Sequence, residues 1–222
     1  MMNDVDLKPV LDFLHDLKEH NNKAWFEEHR AAYDIARTHF ENFVDQLISA
    51  YSRVEDLGGV TAKDCIMRIY RDTRFSKDKS PYKTNMGATI APGGKKSTSL
   101  GYHLHMQPHD ETLVAGGLYM PTPEQLARFR KAVDQDAAPF KDIINDKEFK
   151  KYFGMLQGEK VKTVPQGYTR EHPEIELLRF KQVVVVHRLS DEIVLSPKFS
   201  AHVIKTFSAM KPFLDYLNAI LK

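Results

Sequence analysis

The sequence predicts an α+β protein with a mainly antiparallel sheet of about five strands, helices packed on it, a long N-terminal helical hairpin and a C-terminal helix. Three observations predict this. Up to about residue 53 the apolar side chains recur at three- and four-residue steps with no strand signal. Short β-type runs separated by Pro or Gly then crowd into residues 61–121. Helical spacing returns after Thr122 and is interrupted by one late apolar run, Val183-Val-Val-Val186. No linker composition or internal repeat divides the chain, so residues 1–222 read as one domain. It has a helical opening (1–60), a sheet-rich middle (61–121) and a helical remainder with the late strand (122–222).

Val10, Leu11, Phe13, Leu14 and Leu17 give Leu7 to His20 one apolar stripe, and Asn22 is placed to cap a second helix from about Lys23 to Arg53. In that helix Trp25, Phe26, Tyr33, Phe40, Phe43, Val44, Leu47 and Tyr51 keep the same spacing and read as core. Gly58-Gly59 closes the opening. Strands are expected over Ile66–Asp72, Met86–Ala91, Leu100–Gln107 and Leu113–Met120, the last two joined as a hairpin by a short connection. Pro92 to Ser99 reads as a mobile basic loop. Thr122, Pro123 and Gln125 spell a capping box with Pro at the first helical position. The Val183 strand should pair with a sheet edge. The last helix, opened by Ser196-Pro197, should kink or split at Pro212.

Composition excludes several classes. One cysteine, Cys65, leaves no disulfide framework and no multi-cysteine metal site. The N-terminal residues lack a signal-peptide pattern, and no apolar stretch approaches the roughly 20 residues of a membrane span. A cytoplasmic setting without membrane association is therefore expected, with no cofactor implied and the oligomeric state open. A net charge of +2 is too small to imply nucleic acid by itself.

The local charge is different. Residues 68–83 hold Arg68, Arg71, Arg74, Lys77, Lys79 and Lys83 against Asp72 and Asp78, a balance of +4, so the rest of the chain sums to −2. Arginine suits bidentate recognition of phosphate or carboxylate, and Tyr70 and Tyr82 can stack on a base or bond a phosphate. Strand alternation puts Arg68 and Arg74 on one face and Arg71 on the other. The competing reading makes the two aspartates neutralise their neighbours in a structural ion-pair network. His103 and His105 share a strand face, but no third ligand is identifiable, so no metal is expected. Gly116-Gly117 reads as a packing requirement, and Cys65 as a buried hydrophobe. The irregular segment Tyr168 to Pro173 offers Arg170 and His172 as loop residues able to close over a site.

Several of these segments recur together. Asn21-Asn-Lys-Ala-Trp-Phe26, the 68–83 stretch, Gly101-Tyr-His-Leu-His105, Gly116 to Pro121 and Gly167 to Pro173 occur in this order, and the chain resembles the bacterial and fungal family known as domain of unknown function 2461. The resemblance covers nearly the whole chain and implies a single α+β domain. It brings no activity, substrate or catalytic residue.

Function must then be read from the residues, and three classes stay open. The first is a binder of a phosphate-bearing ligand, nucleic acid the leading version, through Arg68, Tyr70, Arg71, Arg74, Lys77, Lys79, Tyr82 and Lys83, with Arg170 as an outlying candidate. The second is an enzyme acting on a phosphorylated substrate with Asp72 or His103 as the acid/base group. The third is a protein–protein module in which the motif is structural.

Overall fold

The computed structural model describes residues 5–222. Its sheet has four strands rather than five: β1 (Met86–Ile90), β2 (Tyr102–Met106), β3 (Thr112–Leu118) and β4 (Val183–Leu189), antiparallel and in that spatial order. Met86 stands opposite Met106 and Ile90 opposite Tyr102. β2 and β3 are neighbours across a connection of residues 107–111, and β4 lies beside β3 at the sheet edge. Burial alternates along β2, with Tyr102, Leu104 and Met106 inside.

The strand expected over Ile66–Asp72 does not form. Ile66 bridges Ala88 and the Met67 N–H donates to Gly87 O at 2.8 Å, and then the ladder lapses. Pairing returns at a single Tyr70–Tyr82 bridge, flanked by Lys83 N to Ile69 O (2.8 Å) and Arg71 N to Pro81 O (2.9 Å). Pro81 has no N–H to offer, and aspartate and serine side chains compete for nearby backbone donors. Asp72 accepts the Arg74 N–H and Asp78 the Ser80 N–H, so the segment closes into a two-legged loop instead of extending the sheet.

The N-terminal hairpin of two helices is likewise replaced by three helices, α1 (Lys8–Glu19), α2 (Lys23–Glu28) and α3 (Arg30–Tyr51). Asn22 does cap α2, accepting the Trp25 N–H at 3.0 Å. The helix expected to run through to Arg53 breaks at His29. There the backbone N–H and the ring Nδ1 both bond Trp25 O at 2.9 Å, while the imidazole stacks on the Trp25 ring with centroids 4.2 Å apart.

The backbone groups into two units that interleave along the sequence. The first comprises residues up to 98, 102–114 and 188–205. Its core is built by Val10, Leu14 and Leu17 of α1, Phe40, Val44 and Leu47 of α3, the inner face of β1 and β2, and Phe199, whose ring stacks on Phe43. The short helix α4 (Ala62–Cys65) and a 3₁₀ turn at Gly94–Lys96 also belong to this unit. The second unit comprises 99–101, 115–187 and 206–222. It holds α5 (Pro123–Gln135), α6 (Ala138–Asn145), α7 (Lys147–Phe153) and α8 (Ile175–Leu178), around Phe129, Phe140, Phe149 and Phe213. The Thr122–Gln125 capping box forms in both directions, at 3.0 and 3.2 Å. Gly117 is obligatory there: its φ is +118°, and a Cβ would lie 2.2 Å from Val183 O.

α9 (Asp191–Val194) precedes the last helix, α10 (Phe199–Leu221), which runs through Pro212 without splitting. Met210, Phe213, Leu214 and Leu217 are buried on either side of the proline, and this packing holds the helix across the lost backbone bond. Among the described residues no helix is long and apolar enough to cross a membrane.

Candidate functional site

The two-legged loop of residues 69–83 is anchored from α1–α2. The Asn21 side chain takes the place of a strand neighbour: its Nδ2 donates to Tyr82 O at 3.0 Å and its Oδ1 accepts the Tyr82 N–H at 3.1 Å. The Tyr82 ring, 4% exposed, stacks on Phe26 with centroids 4.0 Å apart. Tyr70 packs against Tyr82 at 5.4 Å and is 48% exposed.

Beyond these legs the tip, residues 72–80, is stapled to itself. Asp72 grips Arg74 through both oxygens, Nε at 3.0 Å and Nη2 at 2.7 Å. Asp78 pairs with Arg71 and accepts the Ser80 hydroxyl and N–H. Lys79 Nζ donates to Thr73 O at 2.9 Å. These bonds hold both carboxyl groups below the usual carboxylate range, Asp72 chiefly through the Arg74 side chain and Asp78 chiefly through Ser80. Lys77 is exposed and is in no ion pair among the described residues. Phe75, at the apex, is 96% exposed.

Arg68 and Lys83 lie elsewhere. They line a cleft of about 510 Å³ whose floor is apolar: Phe40 of α3, with Ile66, Met67, Ile69 and Met86. Five basic side chains line it, Arg37, Lys63, Arg68, Lys83 and Lys95, and no carboxylate does. Arg37 is ion-paired with Glu41 at 2.8 Å, while Arg68 and Lys95 act on Asp72 and Asp64 only through space. Lys95 Nζ donates to Lys63 O at 2.6 Å. Lys83 is half-buried, and burial followed by the charge of Arg68 depresses its pKa. Like charges converge on this cleft.

The predicted residues therefore separate. Arg68 and Lys83 share the cleft, whereas Arg74, expected beside Arg68, does not line it and is held by Asp72. Arg71, Lys77 and Lys79 stay on the tip. Arg170 is exposed in the second unit and carries no ion pair among the described residues. Its neighbour His172 bonds Asp134 Oδ1 at 3.0 Å and supplies Nδ1 to the Glu174 N–H at 3.1 Å. The opening beside that histidine, about 480 Å³, has Asp134, Asp136, Asp142 and Glu174 around Lys141, the opposite charge balance.

His103 and His105 are neighbours on β2, their ring centroids 6.4 Å apart. His103 Nδ1 bonds Thr89 Oγ1 at 3.3 Å. Burial, then His105 and Lys83, lower its pKa to about 4, so the imidazole is neutral at physiological pH. Among the described residues no cluster of three or more His, Cys, Asp or Glu is placed to hold a metal ion. Cys65 is fully buried, and burial pushes its thiol up to about 11.

Arg37, Lys63 and Lys95 escaped the sequence reading as one group. Arg37 follows Tyr33 by four residues and precedes Phe40 by three, so all three occupy one face of α3. A cation at the margin of an apolar stripe was the available signal. Lys95 sits on the segment read as a mobile loop. The chain there is a 3₁₀ turn pressed on α4: Gly94 has φ +60°, and a Cβ would come within 2.4 Å of Asp64 O.

The family model described as "Conserved hypothetical protein (DUF2461)" matches residues 9–216. The chain belongs to this family. Neither a curated protein nor a solved structure matches it. The matched region takes in the Asn21 clasp, the stapled tip, every residue lining the basic cleft and the Tyr168–Pro173 turn, so the DUF2461 signature spans the whole constellation.

Proposed function

We propose that this DUF2461 protein binds a phosphate-bearing ligand in the basic cleft, with Arg68 and Lys83 as the principal contacts. One observation carries the reading: five cations ring a concave surface that contains no carboxylate. Cations elsewhere on the surface have acidic partners, as in the Lys8–Asp12, Arg74–Asp72 and Lys211–Asp215 pairs; Arg68 and Lys83 instead repel one another. A dianionic group between them relieves that repulsion, and the partly desolvated setting of Lys83 strengthens the contact. The apolar floor of Phe40, Ile66, Met67, Ile69 and Met86 suits the uncharged part of such a ligand.

The structural ion-pair reading is favoured for a different subset, Arg71 with Asp78 and Arg74 with Asp72. Asp72 has both oxygens engaged and does not line the cleft, which gives little support to a role in proton transfer. Calorimetric titration with pyrophosphate and a nucleoside monophosphate, repeated at rising salt, tests the proposal. Saturable binding that weakens with salt and is lost in the Arg68→Ala, Lys83→Ala double variant is expected. A folded parent protein that binds neither compound refutes it.

A further inference from the structure

Phe75 does not line the cleft, so a ligand contained there leaves this 96% exposed ring bare. A mobile loop can hide such a residue by collapse, but this one cannot. Its tip is fixed by the Arg74–Asp72 and Arg71–Asp78 pairs, by Lys79 Nζ on Thr73 O, and by the Ser80 bonds to Asp78. The Arg74 guanidinium lies 5.8 Å from the ring centroid and leaves the ring open to solvent. Lys77 and Lys79 are beside it in sequence. Along the same segment two aromatic residues, Tyr70 and Phe75, stand among the cations Arg68, Arg71, Arg74 and Lys77.

We propose that the ligand is a single-stranded nucleic acid, with its phosphates in the Arg68–Lys83 cleft and one base stacked on the exposed ring of Phe75. This rests on the reading of the cleft as a phosphate site. Sequence-tolerant single-strand binding combines a basic track with aromatic rings on which bases stack, and both are present on one preorganised hairpin. Phe75 does not line the cleft, and a polymer can engage cleft and tip together. An anionic bilayer is the poorer match. The apex offers one apolar side chain, and Asp72 and Asp78 flank it within three residues.

The test uses the full chain and fluorescence anisotropy with two labelled strands of equal length, oligo(dT) and an abasic strand that keeps the phosphates and lacks the bases. Stacking is worth enough that oligo(dT) should bind about tenfold tighter. Phe75→Ala should erase that difference while leaving the abasic strand unaffected, and Phe75→Trp should restore it. The exposed position makes both variants compatible with the core. Arg68→Ala with Lys83→Ala should weaken both strands. Equal affinity for the two strands, or an oligo(dT) affinity indifferent to Phe75→Ala, overturns the proposal. So does Phe75-dependent binding to phosphatidylserine vesicles with no preference for bases. Pyrophosphate calorimetry separates the two levels. If pyrophosphate binds through Arg68 and Lys83 while neither strand does, the nucleic-acid proposal falls and the phosphate cleft stands; if nothing binds, both fall.

Discussion

Two parts of one sixteen-residue motif treat their cations in opposite ways. On the tip, Arg71 and Arg74 are each matched to an aspartate within seven residues and held in local bonds. In the cleft, Arg68 and Lys83 are in no ion pair among the described residues and stand with three more cations from α3, α4 and the 3₁₀ turn. The first arrangement spends charge on shape: it fixes a loop that would otherwise fluctuate. The second leaves charge unspent and so available to a ligand. Charge density along a sequence does not distinguish them. What separates them is whether a carboxylate closes an ion pair with the cation.

The largest expected effect falls on the cleft. Charge-assisted bonds are worth about 1.5–3 kcal/mol each, so Arg68→Ala with Lys83→Ala should weaken pyrophosphate binding about a hundredfold or more. Titration calorimetry on a variant shown folded by circular dichroism checks this. A loss below tenfold would place the main contacts elsewhere.

The next prediction concerns the neutral His103 near those cations. Its pKa is lowered to about 4 by burial, His105 and Lys83, against 6.5 ordinarily. Between those values the unfolded chain binds the proton that the folded chain refuses. Stability is therefore full above about pH 6.5 and falls as pH drops towards 4, by up to about 3 kcal/mol. Urea unfolding across this range should show a slope that His103→Asn flattens. Lys83→Ala should shorten the range by removing one of the repelling charges.

Asn21→Ala removes both clasps on Tyr82 and exposes neither partner to ready solvation. A loss of about 1–3 kcal/mol in urea unfolding is expected, with weaker pyrophosphate binding because Lys83 is the next residue along. Unchanged stability would mean that the Phe26–Tyr82 stack alone holds the leg.

Smaller still is the response to high pH. The Lys83 pKa is depressed, so its charge, and with it the affinity for pyrophosphate, should decline at lower pH than for an ordinary lysine. Lys83→Arg should move that decline upward. The smallest effect belongs to the tip. Its pairs are largely exposed, and Arg71→Ala or Arg74→Ala should change pyrophosphate affinity less than about threefold. A tenfold loss in either would erase the distinction between the two regions.

The sequence revealed most where local rules decide the outcome. The Asn22 cap, the Thr122–Gln125 box, the β2–β3 connection and the core stripe of α1 are all short-range consequences of residue type and spacing. The Ile66–Asp72 strand misled because its apolar alternation is genuine while its continuation depends on partners at 81–88, where Pro81 and the aspartate turns intervene. The same limit applied to the site. Arg68 and Lys83 were legible as part of a charge cluster. Arg37, Lys63 and Lys95 were not, because only tertiary packing brings three separate elements to one cleft. The break of the second helix at His29 depends on a ring-to-carbonyl bond that no propensity encodes.

The Asn21 clasp also sets a chemical lifetime for the site. It works because one side chain offers a donor and an acceptor at the spacing of a peptide group, 3.0 and 3.1 Å from the two polar atoms of Tyr82. Hydrolytic deamidation exchanges that single nitrogen for oxygen. The bond to Tyr82 O then becomes a contact between two acceptors, one carrying negative charge, and a carboxylate stands one residue from Lys83. Ageing at this one amide would loosen the leg that carries Lys83 to the cleft.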